Sequence, residues 1–555
     1  MPVGTMRAVR DAGTRVQAEV VEQATPLTMW LRNLNRVTEA FDRAGIEYFV
    51  VRHVSHLRSA VAVSNRSKAD VLKVLADLDR VTLRYVDARG RSVKARRPRA
   101  VVEVFHPVTD PFGNLVLGGE FACEVQFWRT KQLPEQSTTH LVAPRGNAVA
   151  ESLPATGEAA EAPASLLTPF APLDGEKWYR TRAEFATPGP DFVGFPIDAV
   201  YTWVDGDDTD WQQRKNKALG ADAQAEINLI AANNSRYVSR DELRYSLRSM
   251  IAYAPWIRQI YLVTDDQVPA WLDLEHPMVK VIRHRKIFRD TGLLPTFNSH
   301  AIESRLHRIP GLSEHFIYVN DDMFLGRPLL PTNFFHPNGI AKFFPSPAQL
   351  DVGPATVHDA PVTAAGKNNR RHVAERFERT ITQKMRHVPY PLRRSVLEDI
   401  ERSLPAEVLA TASHQFRHPG DLSIPSSLQH YWSYLSGKAV PGSIRYTYAD
   451  LAHPSTPAQL AFLLARRHCD VFCLNDTDST EVLLSEQQAM LSDFLSAYFP
   501  FRAPCELPPE VEAERSRLTS TGRASTYLPE GLAATPVPNP RQPVSPVLTG
   551  KLVAE

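Results

Sequence analysis

The sequence predicts an α/β protein whose main domain holds a mostly parallel, doubly wound sheet. Two observations carry this. Apolar runs rich in β-branched and aromatic residues, at 197–204, 256–264, 279–282 and 316–319, alternate with stretches of helical spacing. Each of these runs stops in polar loop residues, as strands of open α/β sheets do where they bind ligands. A smaller α/β unit of similar alternation precedes them.

The bulk numbers bound the answer. The chain has 555 residues, with 43% apolar and 23% charged, the composition of a folded globular protein. A net charge of +1 gives no reason to expect nucleic acid as a partner. Four scattered cysteines make a disulfide framework unlikely to be the stabilising device and fit a reducing compartment. Cys469 and Cys473 lack the second pair that would complete a zinc site, so they read as packing residues. No apolar run reaches the roughly 20 residues of a membrane span, and the first residues hold no signal-like stretch. The expectation is a cytoplasmic protein that meets membrane-bound machinery only through partners.

In chain order, residues 1–25 read as a loose lead-in. Leu27, Trp30, Leu31, Leu34, Val37 and Phe41 have helical spacing, and Gly45 ends that helix. Strands follow at 48–51, 61–63, 81–85, 100–105 and 121–128, with a helix at 68–78. Glu103 and Glu124 sit on two of these strands. They read either as paired metal-binding acids or as members of half-exposed, alternating strands. Residues 1–147 form this N-terminal unit. Residues 148–190, rich in Ala, Pro, Glu and Ser, read as a linker-like region.

The main domain spans 191–502. Its first strand runs into Val204-Asp205-Gly206-Asp207-Asp208, a turn whose backbone amides can approach a nucleotide or phosphate, although Asp-Gly is also an ordinary turn. Ser239 and Glu242 have capping-box spacing at the start of a helix. Arg236, Arg240, Arg244 and Arg248 recur every four residues, forming either a solvated face or a stripe aimed at an anionic ligand. Asp265 and Asp266 end the second strand. The fourth strand, Phe316-Ile317-Tyr318-Val319, ends in Asn320-Asp321-Asp322, which reads either as a turn or as a cation site held against phosphate. Ala365-Gly366-Lys367-Asn368-Asn369-Arg370 reads as a loop, phosphate-touching or plain. His387, His414 and His418, with Arg417, fall in short non-helical segments that suggest a polar pocket. Cys473-Leu474-Asn475-Asp476 again ends an apolar run in Asn-Asp. Residues 503–555, rich in Pro, Ser, Thr and Ala, read as a disordered tail.

Four blocks, in order, resemble the Stealth family of capsular or exopolysaccharide phosphotransferases, relatives of the catalytic subunits of N-acetylglucosamine-1-phosphotransferase. They are IDAVYTWVDGDDTDW at 197–211; SRYVSRDELRYSLRSM through HFIYVNDDMFLG; HVPYPLRRSVLEDI with ASHQFRHPGDLS; and CLND. The resemblance leaves residues 1–190 and the tail uncovered.

The resemblance implies a Rossmann-like fold and transfer of a sugar 1-phosphate from a nucleotide diphosphate sugar, typically UDP-linked, to a hydroxyl of a polysaccharide or glycolipid acceptor. By motif position it implies active-site roles for Glu303, Asp322, His387, Arg417 and Asp476. The chemistry then suggests Mg²⁺ or Mn²⁺ on Asp322 and Asp476, His387 as base, Arg417 on phosphate, and Glu303 orienting the acceptor or the base. Asp205, Gly206, Arg236 and Asn320 are expected at the nucleotide sugar. Two alternatives remain open: a metal-dependent glycosyltransferase using the same donor, and a non-catalytic polysaccharide-assembly protein.

Overall fold

The computed structural model describes residues 1–87, 101–132, 138–175, 177–221, 237, 239–475 and 484–520. Arg236 and Asp476, both named above, lie outside the described residues.

At the centre is a five-stranded sheet in the order Val279–Arg283, Ile257–Thr264, Ile197–Thr202, His315–Asn320, Tyr390–Arg393. The first four strands are mutually parallel, and Tyr390–Arg393 joins antiparallel at the edge. The α/β expectation and its parallel sheet are therefore met. Chain order along the sheet runs outward in one direction from Ile197–Thr202 and then restarts on its other side with His315–Asn320. Strand order reverses between these two strands, and such a switch point leaves a crevice at their carboxyl ends. Phe316, Ile317, Tyr318 and Val319 are each at most 1% exposed. Burial on both faces explains why the run is continuously apolar rather than alternating.

A three-stranded sheet follows directly. Met323–Leu325 pairs antiparallel with Val471–Asn475, which pairs in parallel with Tyr446–Asp450. This brings the fourth sequence block against the strand end that carries Asp322.

The N-terminal sheet contains the expected strands, including Ser59–Ser64 paired in parallel with Cys123–Gln132. Several expectations need correction. Residues 1–25 are no loose lead-in: Met6–Asp11 and Thr14–Val20 form an antiparallel hairpin that buries Val16, Ala18 and Val20. The linker-like region is built into the fold. Ala159–Pro163 pairs with Trp178–Arg182, and Ala162, Leu167 and Phe170 are buried in the same core as the central strands. Its small residues are there because they pack, a property that composition does not separate from a linker's.

The start of the presumed tail is folded too. Ala503 and Cys505 are buried, and Pro509–Ser520 is helical. The arginine stripe explains why. Arg248 makes a bidentate pair with Glu506 at 2.6 and 2.7 Å, Arg244 reaches Glu512, and Arg240 donates to Gln487 at 3.1 Å. The described arginines of the stripe therefore spend hydrogen bonds on the chain itself: they tie the C-terminal segments to the helix Glu242–Tyr253 and the turn before it. The Ser239 capping box is also absent. Asp241 is the N-cap, and Glu242 accepts the Arg240 amide at 2.5 Å.

Candidate active site

Asp322 lies just beyond the switch point, in the turn between His315–Asn320 and Met323–Leu325. One of its oxygens, Oδ2, accepts from His387 Nε2 at 3.2 Å and from the Cys473 thiol at 3.3 Å. The other, Oδ1, is buried with no hydrogen-bond partner among the described residues. The same holds for Asn320 Oδ1 and for Trp203 Nε1, at the ends of the two switch-point strands. Buried polar atoms normally have partners, and these three stand together at the carboxyl ends of the switch-point strands, where a ligand would meet them.

His387 is delivered by the bend before the edge strand Tyr390–Arg393. The strand lies at the sheet edge, where Pro391 is tolerated, and Val388 is fully buried beneath the bend. Burial pulls the His387 imidazole toward neutrality, but the Asp322 carboxylate, its hydrogen bond and Glu303 outweigh this and raise the pKa above its ordinary value; Arg417 opposes them. The four residues Glu303, Asp322, His387 and Arg417, spread over 114 positions of sequence, thus share one electrostatic neighbourhood. With Nε2 donating to Asp322, the free lone pair is on Nδ1, which lies 3.4 Å from the Tyr390 hydroxyl.

Glu303 ends the short helix Ser299–Glu303, which Asn298 caps by accepting the His300 amide. Its carboxylate accepts from Ser426 Oγ at 2.9 Å. Ser426 belongs to the π-helical turn Ile424–Leu428, a distortion often found at functional sites. Arg417 donates to Ser299 Oγ at 2.7 Å, so the segments bearing the acid and the guanidinium touch. A buried carboxylate joins them. Asp421 accepts from His414 Nδ1 at 2.7 Å, Asn298 Nδ2 at 2.8 Å and the His418 amide at 3.0 Å. Burial disfavours its charge, yet His300, whose Nδ1 lies 3.4 Å away, and the hydrogen-bonded His414 prevail and hold its pKa down at about 2.

Asn368 and Asn369 support the same loop by donating to the carbonyls of Asp421 and Ser423 at 2.9 Å each. They do so from the helix Pro361–Phe377. The expected Gly-Lys-Asn loop is therefore helix interior, where a Cβ at Gly366 would meet the Leu350 side chain at 2.7 Å and make it move.

The glycine turn is locally occupied. Gly206 is buried, and a Cβ there would come within 2.1 Å of the Tyr237 carbonyl oxygen. Its need for glycine is thus met by the protein's own backbone. Asp205 donates its amide to Gln267 at 3.0 Å and accepts the Asp207 amide on its carboxylate at 3.0 Å. Asp265 pairs with Arg214 at 2.8 Å.

Cys473 was not expected here. It stands opposite Met323 in register, and the Leu474 amide donates to the Asp322 carbonyl at 3.0 Å. The sequence signal was its place directly before Leu474-Asn475-Asp476. Tyr390 was missed as well. The donor set suits a hard cation. Among the described residues Asp322 Oδ1 and Asn320 Oδ1 are oxygen donors without partners, whereas the thiol and imidazole are committed to the other oxygen of Asp322. Asp321 stands between Asn320 and Asp322 in sequence. Burial, then the Glu242 and Asp322 carboxylates, push its pKa well above the ordinary carboxylate value, a repulsion that a cation would relieve.

Family comparisons agree with the sequence blocks. The models of Stealth conserved regions 1, 2, 3 and 4 match residues 195–223, 236–343, 386–434 and 461–517. An exopolysaccharide phosphotransferase of Streptomyces coelicolor is 46% identical over 517 residues, covering 90% of this chain and 86% of the relative. CpsY of Mycobacterium tuberculosis, also an exopolysaccharide phosphotransferase, is 34% identical over 514 residues, covering 89% and 91%. A solved galactosyltransferase, LgtC, gives a TM-score of only 0.28 at 11% identity, over 57% of this chain and 99% of that one, a likeness too slight to add to the fold. The chain belongs to the Stealth family of exopolysaccharide phosphotransferases, and it is a transferase.

Proposed function

We propose that the protein transfers a hexose or N-acetylhexosamine 1-phosphate from a nucleotide diphosphate sugar, UDP-linked, to a hydroxyl of a glycan acceptor in capsular or exopolysaccharide synthesis. The observation that carries this reading is the Asp322–His387 pair at the switch point, with Asp322 Oδ1 left open beside it.

An acceptor hydroxyl attacks the phosphorus nearest the sugar. The new O–P bond forms as the bond from that phosphorus to the bridging pyrophosphate oxygen breaks, and a nucleoside monophosphate leaves. His387 Nδ1 takes the hydroxyl proton, while Asp322 holds the ring's tautomer and stabilises the imidazolium, the logic of a carboxylate–histidine dyad. Arg417 contributes charge-assisted hydrogen bonds to phosphate oxygens. Glu303, tied to Ser426, orients the acceptor or the base. Asp205 and Arg236 are assigned to the nucleotide sugar. Gly206 is assigned there only through its turn, since its missing side chain is explained by Tyr237.

Asp322 and Asn320, joined by Asp476, would hold Mg²⁺ or Mn²⁺. Such an ion supplies charge neutralisation on the pyrophosphate. Among the described residues no helix is long and apolar enough to cross a membrane. Work in the cytoplasm beside membrane polysaccharide machinery suits the proposed donor.

The test is to incubate the protein with a panel of nucleotide sugars, Mg²⁺ or Mn²⁺ and glycan acceptors. A new phosphodiester by ³¹P NMR together with UMP is the expected result. UDP as the nucleotide product would replace phosphotransfer with glycosyl transfer, and no donor consumption would favour a non-catalytic assembly role.

A further inference from the structure

We propose that Cys473 is a positioning residue for Asp322: its thiol holds one carboxylate oxygen so that the other stays directed at the cation. The inference rests on the phosphotransfer reading for the cation alone. A carboxylate flips easily about its last side-chain bond, exchanging its two oxygens, and a single hydrogen bond from His387 leaves that exchange open. Two donors converging on Oδ2, the His387 ring at 3.2 Å and the Cys473 thiol at 3.3 Å, oppose it. Oδ1 is thereby left buried and without a partner among the described residues.

The thiol is well placed for this task. Cys473 is 0% exposed, so water does not compete for Asp322 from its side. Its backbone is fixed to that of Asp322 by the Leu474 amide, which donates to the Asp322 carbonyl at 3.0 Å, and by the register of Met323 with Cys473. The backbone that carries the sulfur therefore cannot shift without breaking strand pairing. A thiol is also a weak donor. It biases the carboxylate's orientation while drawing little charge from it, so Asp322 remains a strong partner for both His387 and a cation. A hydroxyl at this position would bond more strongly but reach less far.

The experiment uses the full chain with Mn²⁺ as the probe, free ion being followed by electron paramagnetic resonance. It compares wild type with Cys473→Ser, Cys473→Ala, Cys473→Val and Asp322→Asn. Cys473→Ala and Cys473→Val should weaken Mn²⁺ binding by roughly tenfold or more, the usual effect of removing an outer partner of a metal ligand. Cys473→Ser should recover most of the affinity, and Asp322→Asn should abolish it. Melting temperatures without cation identify any variant that fails to fold, and the size-matched Val variant replaces Ala if Ala does. Phosphotransfer by Cys473→Ala should return toward the wild-type kcat at saturating Mn²⁺, because the lesion lies in occupancy. Equal affinity in wild type and both donor-free variants would overturn the proposal. So would a serine variant as weak as the donor-free variants, which would indicate packing alone. Mn²⁺ binding that Asp322→Asn leaves unchanged would instead remove the cation reading itself, and the role of Cys473 with it.

Discussion

Glu103 and Glu124 face each other across paired strands of the N-terminal sheet, and Asp321 and Asp322 follow the end of a strand in the central sheet. Both pairs are acids on or beside β-structure, and both read from sequence as possible metal sites. Their surroundings differ completely. Glu124 Oε1 is met by Arg145 at 2.5 Å, Arg58 at 3.3 Å and His53 at 3.3 Å, while its Oε2 accepts from Gln126 at 3.2 Å. Glu103 takes Arg58 at 2.5 Å and Arg84 at 3.4 Å. These mid-strand acids are fully buried and neutralised by cations of their own chain. They are neither the metal site nor the half-exposed alternation expected of them. Asp322, beyond its strand, keeps an oxygen without a partner among the described residues. Glu103 Oε2 also lacks a hydrogen bond among the described residues, but the Arg84 guanidinium stands 3.4 Å from it, whereas the orphaned Oδ1 of Asp322 lies at a strand end, where open α/β sheets bind ligands.

The largest effect should come from the open pair. Asp322→Ala is expected to lower kcat by about 10³-fold, or about 4 kcal/mol in barrier, with little change in melting temperature; donor consumption assayed beside thermal unfolding checks both. If it unfolds the protein instead, the contrast with the N-terminal acids collapses. Glu124→Ala should do the reverse. It leaves Arg58, Arg145 and His53 without their shared partner and should cost about 2–4 kcal/mol of stability, discounted because both arginines keep some solvent contact. Turnover per folded molecule should hold. Urea unfolding and activity at low urea measure the two sides, and a large loss of turnover would give the N-terminal sheet a part in the chemistry.

Asp421 tests the joint between the Glu303 and Arg417 segments. Its folded pKa, about 2, lies below the ordinary carboxylate value. Its stabilising contribution is therefore fully present above pH about 4 and is lost as pH falls toward 2. The gap corresponds to about 2 kcal/mol, to be read as the difference between wild type and Asp421→Asn in acid unfolding curves. A variant as acid-stable as wild type would make the joint dispensable. The smallest effect is a titration. In cation-free protein, the His387 ring followed by NMR should ionise above its ordinary pKa and move downward in Asp322→Asn, since the carboxylate is the main cause of the raised value. An unchanged value would place the source of the shift elsewhere.

Much of the candidate site was legible because strand ends carry their own signature. Asn320-Asp321-Asp322 after a continuously apolar run marks a carboxyl end in a buried parallel sheet, and the structure places it there. The motif blocks named Glu303, His387 and Arg417, which do converge. What went unseen has a common cause: partners distant in sequence. Four arginines in helical register look alike whether they face water, a ligand or a C-terminal segment, and Glu506 lies 258 residues from Arg248. Residues 148–190 have the composition of a linker, yet they are paired and buried. Gly206 looked like a phosphate turn, and Tyr237 fills the space.

By itself, the sequence determined the α/β class, the strands and their polar ends, and the family, because these depend on local periodicity and on motifs within short windows. Tertiary structure alone decided which charges are spent and which are open. It set Cys473 against Asp322, 151 residues away in sequence, and closed the arginines around Glu124. Whether a carboxylate is neutralised or available depends on what packs within a few ångströms of it, and strand pairing across the chain decides that.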